Sequence, residues 1–157
     1  MENTIKPAAI EEKAIIRKLL QPYLTELARF PDENPDYLDE NGIYYYPYLD
    51  AYWQEETRFP YLLYVNEKTA GFALVRKDGD FWHIAEFYVL AEFRRHGRGF
   101  FFAAEIFKNH PGLWKIGFNK HNLASRRLWK TLASKLAKSD VEEGEADASH
   151  DYLTFRV

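Results

Sequence analysis

The chain has 157 residues, 46% of them apolar and 29% charged, which fits one domain (1–157) with a genuine core. It contains no cysteine, which excludes disulfides, thiolate nucleophiles and cysteine metal sites. Its formal charge of −3 argues against general nucleic-acid binding, which needs a basic domain.

Thr4–Ala8 is short and β-like. A helical pattern takes over at Glu11, with Ile15, Ile16, Leu19, Leu20 and Leu24 at helical spacing; Pro22 predicts a kink or break near Gln21. Pro31–Asp36 is a loop by composition, and a second helix is expected over Tyr45 to Glu56. Phe59–Val65 and Gly71–Arg76 read as strands joined by a turn over Asn66–Ala70. A second turn, Lys77–Asp80, leads into a long strand from Phe81 to about Val89. A helix follows, to about Asn109, stopped by His110-Pro111-Gly112. Leu113–Phe118 is then a strand, expected to lie parallel to the one ending at Val89 because a helix separates them. A last helix runs from Asn122, its expected N-cap, to about Leu136; an acidic segment and a final strand, Tyr152–Arg156, follow.

Between the strand ending at Val89 and the next helix lies Arg94-Arg95-His96-Gly97-Arg98-Gly99. A strand, a Gly- and Arg-rich turn and a helix start make an anion site. Free N–H groups converge there, the helix dipole favours negative charge, and glycines let an anion come close. Three arginines add donors suited to phosphate. The wider charge pattern is uneven. Glu26–Glu56 carries nine acidic residues and one basic, Glu86–Lys130 nine basic and three acidic. This is either ordinary solvated surface, or a basic half for a polyanion and an acidic half for a cation.

The Arg94–Gly99 stretch fits the cofactor motif of the GNAT superfamily of N-acetyltransferases: Gln or Arg, two residues, Gly, one residue, Gly or Ala. Asn122-Leu123-Ala124-Ser125-Arg126-Arg127-Leu128-Trp129 fits a second family motif: Asn, two residues, a small residue, then an aromatic after three more. With both motifs in the family's element order, the chain resembles this superfamily over almost its whole length. The resemblance implies an α/β (α+β) domain with a mixed, mostly antiparallel sheet of about six to seven strands and about four helices. The sheet would splay between the fourth and fifth strands. It implies acetyl-CoA as acyl donor, with no metal. The backbone of Arg95, His96, Gly97, Arg98 and Gly99 and the Arg94 side chain would hold the pyrophosphate. Phe87, Tyr88 and Val89 would pair with the pantetheine arm, and Val89 N–H would polarise the thioester. Asn122, Ser125 and Trp129 would contact the cofactor from the other arm.

The implied reaction is direct attack of a small or peptide amine on the thioester, with Glu86 as general base and His83 as the second candidate. Many members carry a tyrosine acid where this chain has Trp129, whose indole cannot serve, which leaves Tyr88 or solvent to protonate the thiolate. A non-catalytic acyl-CoA-binding module is the alternative. A P-loop protein fails for want of a Gly-x-x-x-x-Gly-Lys-Ser/Thr stretch. The aromatic run from Tyr44 to Trp53 and the acidic loop Asp32–Glu40 are candidate acceptor-site elements, or core and solvated loop respectively. Arg126, Arg127 and Lys130 either reach the adenosine phosphate or decorate a helix face. A homodimer is possible from relatives. No apolar run spans a bilayer and the start is no signal peptide, so no membrane partner and a cytoplasmic location are expected.

Overall fold

A computed structural model describes residues 2–33 and 37–157. The expected loop Pro31–Asp36 and the acidic loop Asp32–Glu40 therefore lie partly outside the described residues. The elements are β1 (Asn3–Pro7), α1 (Lys13–Leu27), α2 (Ala51–Gln54), β2 (Arg58–Val65), β3 (Lys68–Asp78), β4 (Phe81–Val89), α3 (Arg98–Asn109), β5 (Leu113–Asn119), α4 (Leu123–Leu136), β6 (Glu142–Glu145) and β7 (His150–Arg156). Seven strands form one sheet in the order β1-β2-β3-β4-β5-β7-β6. Every pairing is antiparallel except β4 with β5, which is parallel as expected. Among the described residues no helix is long and apolar enough to cross a membrane.

Each sheet face buries its own core. Phe102, Ile106 and Phe107 of α3 and Leu132 of α4 pack on Trp114, Ile116 and Phe155. On the other face Ile16, Leu20 and Leu24 of α1 pack on Leu62, Phe72 and Leu74. This packing explains why α1 runs unbroken through Pro22, where a kink or a break was expected. An internal proline costs a helix roughly 3 kcal/mol, whereas each buried aliphatic side chain contributes about 1.5–3 kcal/mol. Ile16, Leu19, Leu20 and Leu24 together outweigh the proline.

The second helix is much shorter than expected, four residues rather than Tyr45–Glu56. Instead Tyr44 makes an isolated antiparallel bridge with Leu38, and turns over Pro47–Asp50 lead to α2. The Gln21 side chain clamps the bridge, accepting from Tyr44 N (2.9 Å) and donating to Tyr44 O (2.7 Å). Tyr45 N also bonds Tyr37 O at 2.7 Å, so this backbone is satisfied without a helix. The sequence reading missed β6, a short acidic edge strand paired to β7.

Two departures from regularity shape the sheet around β4. The parallel ladder between β4 and β5 holds only Phe81–Leu113 and Trp82–Trp114 and then ends. β5 stays paired along its whole length to β7, so the sheet opens between β4 and β5, as the resemblance implied. The second departure is a bulge. Leu74 stands opposite Glu86 while Val75 stands opposite Ile84, which makes Ala85 an extra residue in β4.

Candidate active site

Two clefts meet at the opening between β4 and β5. The larger, about 770 Å³, lies over the sheet face that carries α1. The smaller, about 450 Å³, runs from the C-terminal part of α1 past the end of β4 to the starts of α3 and α4. Tyr23, Leu27, Phe87, Asn122 and Ser125 line both.

The smaller cleft is walled by backbone. Leu90 N bonds Ala70 O at 2.8 Å, and the same register pairs Tyr88 with Phe72 and Glu86 with Leu74. Antiparallel pairs alternate, so Phe87 and Val89 turn their N–H and C=O groups toward β5, where the ladder has already ended. Close approach of β3 secures this edge: a Cβ on Gly71 would stand 2.2 Å from Tyr88 O. The strand then leads through a 3₁₀ turn, Ala91–Phe93, to the start of α3.

Gly97 is the N-cap of α3, at φ 68°, and no side chain caps the helix. Its carbonyl accepts the first helical bond, from Phe101 N at 2.9 Å, so the preceding amides have no partner within the helix. His96, also at φ 68°, and Gly97 give the turn its left-handed bend, and Arg95, His96 and Gly97 are exposed. Gly99 lines the cleft; a Cβ there would sit an ordinary 3.9 Å from Leu128, so the fold itself does not demand glycine.

The arginines differ from the expected trio. Arg94 lines the cleft but is held by Val89 O (Nε, 2.8 Å) and Glu26 (2.5 Å). Arg98 is only 3% exposed and turns away, donating to Asn3 Oδ1 and Phe93 O at 3.3 Å each. Its contribution at the turn is a backbone amide rather than the charge expected of it.

Across the opening, Asn122 is the N-cap of α4, its Oδ1 accepting from Ser125 N at 3.1 Å. Ser125 Oγ in turn accepts from Trp129 Nε1 at 3.0 Å. The Trp129 ring is buried edge-on to Phe87, centroids 5.1 Å apart. Trp129 is thus a wall between core and cleft, with its one donor satisfied. Lys130 pairs with Glu143 at 2.7 Å, while Arg126 and Arg127 lie on the outer surface of α4.

The larger cleft is walled by side chains. Because of the bulge at Ala85, Glu86 and Tyr88 face α1 while Phe87 packs on Phe102 and Trp129. Were the strand to alternate regularly through Ala85, Glu86 would share the face of Ile84 and point into the α3 core. Tyr23 Oη donates to Glu86 Oε1 at 3.3 Å. Burial pushes the Glu86 carboxyl up to about 8, with the Tyr23 hydrogen bond opposing that rise. Burial also raises Tyr23 and Tyr88, which hold their protons at neutral pH. Arg94 lies over the Tyr88 ring at 5.4 Å.

His83 does not join Glu86. It stands at the far end of the cleft, beside Arg76 and Lys115, and its pKa is lowered by burial and then by Arg76. In the acidic loop, the described Asp32, Glu33 and Asp39 are engaged within the protein. Asp32 accepts from the Ser149 hydroxyl, Glu33 pairs with His150, and Asn119 Nδ2 donates to Pro31 O at 2.7 Å, tying the loop to β5 and β7. Asp39 accepts from Asn41 N and Ile43 N, closing a local turn. Of the aromatic run, Tyr46, Tyr48 and Tyr52 line the cleft. The sequence reading missed Tyr23, Arg58, Arg76 and Lys115. Tyr23 had one signal, a hydroxyl on the apolar face of α1, where a buried ring needs a partner.

No curated protein matches the sequence. Several solved structures share the fold at low identity. An acetyltransferase from Thermus thermophilus has a TM-score of 0.72 at 10% identity, covering 100% of this chain and 98% of that one. The PaiA N-acetyltransferase from Thermoplasma acidophilum, in complex with coenzyme A, has a TM-score of 0.66 at 11% identity, covering 100% of both. YncA from Salmonella typhimurium, a putative acetyltransferase with its cofactor acetyl-CoA, has a TM-score of 0.64 at 15% identity, covering 99% of this chain and 92% of that one. The acetyltransferase (GNAT) family model matches residues 19–133, well over half of the chain. With the open β4–β5 edge, the uncapped start of α3 and this match together, the chain belongs to the GNAT acetyltransferase family.

Proposed function

We propose that the protein is an N-acetyltransferase that moves the acetyl group of acetyl-CoA to a primary amine by direct attack. One observation carries this reading. The unpaired edge of β4 runs into an uncapped helix start, and a part-buried carboxylate stands on the other face of that strand. The backbone of Arg95 to Gly99 supplies the pyrophosphate contacts, as amides at a helix start suit an anion. Phe87 to Val89 pair with the pantetheine arm as an added strand would, and Asn122 and Ser125 close from the other side. Trp129 walls the sulfur end. The solved relatives that hold coenzyme A or acetyl-CoA support this assignment.

In the chemical step the amine nitrogen bonds the acetyl carbon and the carbon–sulfur bond breaks. Val89 N–H stabilises charge on the carbonyl oxygen. Glu86, through water, takes the proton the nitrogen releases. Tyr88 gives its proton to the departing thiolate; Tyr23, the other tyrosine in the cofactor cleft, is held to Glu86. A carboxyl with a pKa of about 8 acts as base only once ionised, so turnover rises with pH and levels above about 8. Calorimetry with acetyl-CoA and a thiol-release assay across amines, amino acids and peptides test the proposal. Micromolar binding and turnover of some amine support it. Failure to bind acetyl-CoA overturns it, and binding without turnover leaves a holding module instead.

A further inference from the structure

The far end of the larger cleft carries a row of three cationic side chains and a histidine that the proposed chemistry does not use. Arg58 and Arg76 are register partners on β2 and β3, and Arg76 and His83 are partners on β3 and β4. Lys115 follows Trp114, the last residue of β5 laddered to β4, so it continues the row beside His83. All four line the cleft. Two arginines directly opposite each other on paired strands repel, an arrangement sheets ordinarily avoid. Their carboxylate neighbours do not resolve this inside the cleft. Glu55 reaches Arg58 at 3.3 Å and Asp78 reaches Arg76 at 3.6 Å, but both acids are more than half exposed and neither lines the cleft. Lys115 Nζ is held over the Tyr152 ring at 4.2 Å. The carboxylates that do line the cleft have other tasks. Glu33 is taken by His150, Asp151 lies 3.6 Å from Lys120, and Glu86 sits toward the opening.

We infer that Arg58, Arg76 and Lys115 form an anion pocket that selects an acceptor amine carrying a carboxylate or phosphate. The inference rests on the acetyltransferase reading above and gives its acceptor a chemical class. His83 is three residues before Glu86 on β4, a span of roughly 10 Å in extended chain, shortened here by the bulge. The acceptor's anion therefore lies several bonds from its nitrogen. With the anion on the arginines and lysine, the amine is directed at Glu86 and the β4 edge. Tyr46, Tyr48 and Tyr52 flank the path between. Nearby positive charge also favours the neutral form of the amine, the form that attacks.

The test compares acceptors that differ at the end remote from the amine, in a thiol-release assay: 4-aminobutyrate, 3-aminopropyl phosphate and 4-aminobutanamide, whose amide end carries no charge. The charged forms are expected to exceed the amide in kcat/KM by about tenfold or more, through KM, as one charge-assisted hydrogen bond provides. The two charged arms show which anion is preferred. Arg76→Gln and Lys115→Gln, each checked for an unchanged melting curve, bring the charged-to-neutral ratio toward one. An amide used as well as the charged amines, or a ratio that survives both variants, overturns the inference. Should no amine turn over, calorimetry of glutarate and of inorganic phosphate with coenzyme A-loaded protein decides it. Binding that both variants weaken upholds the pocket, and no binding overturns it. Acetyl-CoA affinity, measured separately, judges the acetyltransferase reading itself.

Discussion

The two clefts at the β4–β5 opening are built from different materials. The smaller is made largely of main chain: the edge of Phe87 to Val89, which no strand pairs beyond the short β4–β5 ladder, and the start of α3 at Gly99. Its side chains mostly brace the frame, as when Arg94 joins Val89 O to Glu26. The larger is made of side chains brought from α1, β2, β3, β4 and β5: Tyr23, Arg58, Arg76, His83, Glu86 and Lys115. A main-chain site needs a particular backbone path, so its residue constraints are local and fall on glycines and caps. A side-chain site needs only that the fold deliver certain atoms to one volume, so its residues scatter along the chain. The first suits a ligand shared by a whole family, and the second an acceptor particular to one protein.

The sharpest way to test this division is to remove a group from each side. Glu86→Gln should lower kcat/KM by about 10²–10⁴-fold, the usual range for a lost general base, while acetyl-CoA affinity stays within about twofold. The rise in rate toward pH 8 should vanish with it. Folding raises this carboxyl from 4.5 to about 8, so wild-type stability declines as pH rises through that window and the variant's should not. Gly97→Glu should show the opposite pattern. It puts a side chain and a negative charge at φ 68° on an open helix start, and acetyl-CoA affinity should fall by about tenfold or more in calorimetry. If Gly97→Glu spares binding, the main-chain site is wrongly placed.

Three smaller effects probe the seam. Gly71→Ala forces a Cβ to within 2.2 Å of Tyr88 O, and thermal denaturation should show a loss of about 1–3 kcal/mol, with acetyl-CoA affinity falling as the β4 edge shifts. Asn122→Ala removes the α4 cap and should cost about 1 kcal/mol in denaturant titration. The gentlest is Tyr23→Phe. Its hydrogen bond lowers the Glu86 pKa, so losing it should move the pH–rate profile to higher pH without abolishing turnover. A profile that does not move would separate Tyr23 from the chemistry.

The backbone frame of the candidate main-chain site was legible in the sequence because its requirements are residue types at fixed offsets. Gly97 answers a positive φ and Asn122 a helix start. Glu86 was legible as a candidate by its place before the pairing stretch, but not which way it pointed. Strand alternation alone fails there, since the extra residue at Ala85 reverses it. The short α2 was misread because an aromatic run resembles a helix face until the Gln21 clamp on Tyr44 is seen. Arg98 was misread because sequence places a charge without aiming it.

Local chemistry written along the chain determined the strand–turn–helix grip, the capped start of α4, the antiparallel meander and the absence of a thiol. These depend on neighbours within a few residues, where backbone sterics and hydrogen bonding act. Tertiary structure alone decided the partner of Tyr23, the inward turn of Arg98, the tying of Asp32 and Glu33 to the β7 end of the sheet, and the row Arg58–Arg76–His83–Lys115. Each depends on residues tens of positions apart meeting across a register that a single bulge can shift, and such meetings leave no local trace in the sequence.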